Sequence, residues 1–130
     1  MGAMKIQLKM NSKPVKRRPY RLSPKYKEKV HKDLDWMFEA GIIVPVEESD
    51  WISLMVVQSK KKSDIWICVY LRSLNVSCVH DPFPTPFTNE VLENVGGQES
   101  YSFTDGFSGY HQIKIAPKDR HKTTFATEWG

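Results

Sequence analysis

The residues best placed to do chemistry lie in the stretch YSFTDGFSGYHQIKI, Tyr101 to Ile115. A lone carboxylate, Asp105, closes a short apolar run. Gly106 and Phe107 follow it, and an aromatic, Tyr110, comes five positions on. Upstream stand three consecutive lysines, Lys60, Lys61 and Lys62. Phosphoryl transfer on a nucleotide needs carboxylates to hold divalent metals, cations on the triphosphate and a surface against the sugar. Each piece also has a plainer reading: a turn Asp, a core Tyr and a solvated lysine run. Ser108 near His111 reads as a turn serine, and His31, His80, His111 and His121 are too scattered to suggest a metal site.

Charge points the same way. Residues 1–32 hold 11 Lys/Arg and one acid, a balance of +10, whereas the other 98 residues hold 8 Lys/Arg and 14 acids, a balance of −6. A basic arm on a mildly acidic body suits a polyanionic partner, most simply nucleic acid, or else a solvated tail. Two cysteines, Cys68 and Cys78, make no disulfide framework and no metal-ligand spacing. A reducing, intracellular location in cytoplasm or nucleus is the expectation. No apolar run is long enough to span a membrane.

The elements that must position these groups are an arm, two helices and several strands. Pro14 and Pro19 keep residues 1–22 extended, and Lys13, Lys16, Arg17, Arg18 and Arg21 make that arm basic. Ser23 and Pro24 open a helix, along which Tyr26, Val30, Leu34, Met37 and Phe38 form one stripe; Gly41 closes it. IIVPV (42–46) reads as an edge strand. Segments 52–59 and 65–71, joined by KKKSD (60–64), read as a hairpin. HDPFPTPF (80–87) is extended. TNEVLENV (88–95) reads as a helix capped by Thr88 or Asn89 and stopped at Gly96-Gly97. SYSFT, HQIKIA and TTFATE complete the strands, with PKDRHK as a turn or one helical turn between the last two. The expected class is α+β with an antiparallel sheet.

In this order and spacing the segments RPYRLSPKYKEKV, EAGIIVPVEESDWIS, MVVQSKKK, ICVYLRSLN and HDPFPTPFTNEVLENVGGQESYSFTDGFSGYHQIKIAPKDRHKTTFATEWG resemble the reverse transcriptase of Ty3/gypsy-type LTR retrotransposons, in a form typical of plants. The resemblance runs from about residue 13 to the end. It implies the fingers and partial palm of a right-hand polymerase, with antiparallel hairpins and two main helices. It divides the chain into the basic arm 1–22, a fingers-like subdomain 23–86 and a partial palm 87–130. Asp105 then corresponds to the first catalytic carboxylate, a ligand for Mg2+. The backbone of Gly106 and Phe107 would lie near the triphosphate, Tyr110 under the sugar, and Lys60, Lys61, Lys62 and Arg72 against the nucleotide. An RNA/DNA primer–template is the implied partner, gripped by the arm.

The departures from that pattern are substantial. The family's Tyr-x-Asp-Asp hairpin, thumb and RNase H parts are not in this sequence, and one carboxylate alone cannot build a two-metal site. Trp66 stands where the family usually has Arg, Tyr70 where it has Asp, and Leu54 where it has Pro. The expectation is a reverse transcriptase fragment that is catalytically incomplete alone, needs no Mg2+ of its own and retains nucleic-acid binding. The alternative is a domesticated protein-interaction module or homodimer that covers an exposed palm surface, including Phe103, Ile113, Ile115 and Phe125.

Overall fold

In the computed structural model, which describes residues 2–61, 64–104, 106 and 109–130, the chain forms two units: Met1–Val79 with Ile113–Gly130, and His80–Gln112. The first unit is built on helix α1 (Pro24–Glu39) and a three-stranded sheet. Val30, Leu34 and Met37 are the buried positions of the helix, at the i, i+4, i+7 spacing of one face. Pro24 sits in its first turn, where no backbone donor is needed. Ser23 occupies the N-cap without a side-chain hydrogen bond, and Phe38 points outward. Gly41 adopts φ 69°, the left-handed conformation that lets a helix end fold back.

That fold-back explains why IIVPV is not a strand. The amides of Ile42 and Ile43 both donate to the Met37 carbonyl, at 2.9 and 3.3 Å. Pro45 has no donor to offer a ladder. Ile42 and Ile43 instead pack against the core formed by Leu22, Val30, Leu34, Met37, Met55 and Ile65.

Strands β1 (Ser53–Ser59) and β2 (Ile65–Tyr70) form the expected hairpin, antiparallel from Leu54↔Tyr70 to Ser59↔Ile65. Period-two alternation sends Met55, Val57, Ile65 and Ile67 into the core under α1. The third strand, β3 (Phe125–Ala126), corrects the expectation of a wholly antiparallel sheet. It pairs with β1 in parallel, Ser53 with Phe125 and Leu54 with Ala126. The long crossover between β1 and β3 permits this direction, which a tight turn would not. Beyond β3, the amide of Val57 finds an acceptor in the Tyr20 hydroxyl at 3.1 Å.

Helix α2 (Arg72–Ser77) follows β2 and buries Leu74. Leu74 joins Ile6 and Trp51 in a second core, lined by Leu8, Val15, Leu71, Cys78 and Ile115. The N-terminal arm therefore serves both cores, through Ile6, Leu8 and Val15 in one and Leu22 in the other. Its backbone is stitched along its length: Met4 to Lys114 and Ala116, Gln7 to Val79, Lys9 to Ser77, Val15 and Arg17 to Ile52. HQIKIA is not a strand; Ile115 makes only an isolated bridge to Met4. PKDRHK forms a 3-10 helix, Pro117–Thr123.

In the second unit, α3 (Thr88–Val95) forms as expected but is capped one residue earlier. The Phe87 amide donates to the Glu90 carboxylate at 3.2 Å. The Tyr101 hydroxyl donates to the Val95 carbonyl at 2.7 Å and accepts from the Gln98 amide at 3.2 Å. Residues 101–104 carry no strand, and α4 (Gly109–Gln112) occupies the start of the expected HQIKIA strand.

Candidate nucleic-acid interface

The arm cations are presented on backbone that the two cores hold in place. Lys13, Lys16, Arg17, Arg18 and Arg21 are all exposed. Lys16 shares its charge with Asp50 at 3.7 Å; none of the other four is in a salt bridge among the described residues.

Two carboxylates from the C-terminal segment clamp this arm. Asp119, only 3% exposed, accepts the Ile6 amide at 3.0 Å and the Lys122 ammonium at 2.6 Å; that ammonium also donates to the Ile6 carbonyl at 2.8 Å. Glu128 repeats the arrangement at the far end of the arm, accepting the Leu22 amide at 2.9 Å and pairing with Lys27 at 2.7 Å. The hydrogen bond from Lys122, then that from Ile6, holds the Asp119 carboxyl below its usual range. Lys27, then the Leu22 amide, does the same for Glu128. Burial alone would push both up, so the donors win. Sequence reasoning passed over these two acids. For Asp119 the signal available was an acid set among the bases of KDRHK; Glu128 carries none.

The hairpin carries the second group of cations. At its tip, Lys60 lies over the Trp66 ring, 4.8 Å from the centroid, and 3.8 Å from Asp64. Lys61 is exposed. At the other end of β2, Arg72 reaches the Tyr70 hydroxyl at 3.4 Å, which raises the guanidinium pKa further. Trp66, Cys68 and Tyr70 alternate with the core residues, so they share the outer face of the sheet. In the second unit, Gly106 and Tyr110 are exposed. Lys62, Asp105 and Phe107 lie outside the described residues. Among the described residues, no group of three or more His, Cys, Asp or Glu could hold a metal ion, and no helix is long and apolar enough to cross a membrane.

No protein-family model matches the chain. Individual proteins do. It is 30% identical over 127 residues, 93% of its length, to a retrovirus-related Pol polyprotein from transposon gypsy of Drosophila melanogaster. It is 26% identical over 130 residues to the corresponding polyprotein from transposon opus of the same fly. It is 24% identical over 132 residues to the enzymatic polyprotein of Cauliflower mosaic virus, strain D/H. The chain spans 12%, 13% and 20% of these relatives. Among solved structures it superposes on prototype foamy virus protease–reverse transcriptase with a TM-score of 0.75 at 16% identity, over 95% of this chain and 18% of that one. The fold is that of a reverse transcriptase-related domain: small, α+β, with a three-stranded sheet.

Proposed function

We propose that the chain is the fingers and first part of the palm of a right-hand polymerase, derived from the reverse transcriptase of a Ty3/gypsy-type retrotransposon of the kind plants carry. Its own role is to hold an RNA/DNA primer–template. The observation that carries this reading is similarity to retrovirus-related Pol polyproteins of transposons and to a viral enzymatic polyprotein over 93–98% of the chain. The exposed cations of the arm supply the physics, since each phosphate they neutralise releases condensed counterions.

Within that reading, Lys60, Lys61 and Arg72 meet the incoming nucleotide, with Gly106 and Tyr110 beside the triphosphate and sugar. Asp105 is the residue that would ligate Mg2+, which when bound neutralises charge developing on the transferred phosphoryl group. It is the single carboxylate assigned to that task in residues 1–130. Primer extension by this polypeptide, with Mg2+ or Mn2+, is therefore expected to be absent. Extension that disappears in Asp105→Asn would overturn the assignment of a holding role alone.

The direct test of holding is fluorescence anisotropy of a labelled RNA/DNA primer–template across a salt series. Affinity should fall steeply with salt, and Arg17→Glu with Arg18→Glu should flatten the slope by roughly two. No binding at low salt would sink the proposal.

One observation favours a second reading. None of the described residues between His80 and Gln112 is buried, although they include Phe83, Phe87, Leu92, Phe103 and Tyr110. Apolar surface of this kind is ordinarily covered by protein. Phe103 and Ile113 are exposed, while Ile115 and Phe125 are half-buried against the cores. An interaction module would self-associate in sedimentation velocity, or bind a partner through this unit. A monomer at every concentration would remove the homodimer version.

A further inference from the structure

Strand β2 is an outer strand of the sheet, whose order is β2-β1-β3. The hairpin fixes the phase of its backbone hydrogen bonds. The Lys60 amide donates to the Asp64 carbonyl at 2.8 Å. In the register of the hairpin, Gln58↔Trp66, Val56↔Cys68 and Leu54↔Tyr70 are then the pairs that exchange bonds. The far side of β1 agrees. There the Ser53 and Val57 amides point away from β2, to the Thr124 carbonyl at 2.8 Å and the Tyr20 hydroxyl at 3.1 Å. Ile65, Ile67 and Val69 therefore turn their amides and carbonyls to the outer edge. The Asp64 carboxylate accepts the Ile65 amide at 3.0 Å. The amides of Ile67 and Val69 have no acceptor among the described residues.

Such an edge is ordinarily blunted by proline, lysine or an inward charge. The strand IWICVY has none of these. Charge stands only at its two ends, Asp64 before it and Arg72 just after it. Asp64 pairs with Lys60 at 3.8 Å, but its side chain is 67% exposed and open to a second cation. The Arg72 guanidinium is held at the other end by its bond to the Tyr70 hydroxyl, 3.4 Å. A strand with an acid at one end and a cation at the other complements itself when two copies run antiparallel. Turned about Ile67, a second copy pairs Ile67 with Ile67 and Ile65 with Val69, so the outward backbone groups meet each other. Asp64 then lies opposite Tyr70 of the second copy and beside Arg72 there, and the same contact recurs at the other end. Trp66 lies opposite Cys68. A parallel arrangement would set like charges together at each end.

We propose that the free edge of β2 pairs with the same edge of a second copy, antiparallel about Ile67, to join two sheets into one. The contact is isologous: each copy offers the same strand, and the two-fold closes on a dimer. It uses neither the arm nor the exposed apolar residues of 80–112. One short strand makes a small interface, so the association is weak and concentration-dependent.

The test is sedimentation velocity of the 130-residue chain from micromolar to near-millimolar concentration. The wild type should pass from monomer to dimer. Val69→Pro removes an outward amide that the hairpin does not use, and should hold the chain monomeric. Asp64→Arg and Arg72→Asp should each weaken association roughly tenfold, and the two together should restore it. Far-UV circular dichroism verifies the fold of each variant; if Val69→Pro does not fold, the charge reversals decide. Cross-linking reads the register. In the paired strands the Cys68 Cα atoms of the two copies stand about 8 Å apart. A short bismaleimide should therefore join them, and Cys68→Ser should prevent it. A wild type that stays monomeric, or that forms species larger than a dimer, overturns the pairing. So does dimerisation unchanged by a folded Val69→Pro or by the single charge reversals. Dimerisation lost in Phe83→Ser with Phe103→Ser but kept in the β2 variants also overturns it, since the second unit would then be the contact. Primer–template binding is measured separately. A dimer that binds no primer–template supports the edge and overturns the proposed function; a monomer that binds it does the reverse.

Discussion

Asp119 and Glu128 each satisfy a backbone amide of the arm and an ammonium at once, and their titration should be visible in stability. Both carboxyls have folded pKa values below their ordinary ones, 3.8 for Asp and 4.5 for Glu. A group of this kind contributes stability that is fully present above the unfolded value and is lost as pH falls through the folded one. The melting temperature should therefore be level near neutrality and drop once pH falls below about 4.5, progressively further below 3.8. Asp119→Asn and Glu128→Gln should each melt lower at pH 7 and show a shallower acid loss than the wild type. Thermal scans across pH check both; an unchanged acid slope in the pair would remove the clamps from the account. At this scale the sequence was only partly legible. The cations were readable as exposed because charged side chains almost always are. The clamps were not, because the backbone amides they hold, those of Ile6 and Leu22, lie more than a hundred residues away.

Helix α1 shows what periodicity can and cannot deliver. Its stripe was legible, and Val30, Leu34 and Met37 are buried as the spacing requires. Phe38 is one position past that face and is exposed. Leu34→Ala should cost about 2–4 kcal/mol of unfolding free energy, through lost burial and the cavity left behind. Phe38→Ala should cost less than about 0.5 kcal/mol. Gly41→Ala has open space around it but a positive φ, and should cost about 1 kcal/mol. Denaturant titrations give all three, and a costly Phe38→Ala would mean the outer face of α1 is covered in solution. The hairpin was legible from its β-branched and aromatic runs and its charged turn. Helix α2, six residues with one buried position, is shorter than any window that could reveal a period. Strand β3 pairs through two residues across a long crossover, a contact that local pattern does not encode. The alternation in IWICVY did place Trp66 and Tyr70 on one face.

Across the whole molecule, the two units differ in what holds them. The first has two cores and a continuous set of backbone links; the second has no buried residue among those described. Local stability follows burial and protected hydrogen bonds. Limited proteolysis should cut first within residues 80–112, and amide exchange there should run ahead of β1, β2 and α1. Protection of 80–112 equal to that of the hairpin would show that a second copy or another surface covers it. Fold class was legible at this scale, because ordered elements and family-like segments agree with the observed fold. The docking of the arm was not: a proline-rich basic segment reads equally as a free tail until Ile6 and Leu22 are seen inside the cores.

Because Ile6 and Leu22 are already buried and the backbone between them is already tied down, the arm has no folding left to do when it meets a polyanion. Calorimetry on such an encounter would show a small heat-capacity change, without the large negative value that marks a chain folding on its target. The favourable entropy of ions leaving the phosphates would go undiminished by the ordering of a tail. A long, strongly basic N-terminus would thus behave thermodynamically as a rigid surface.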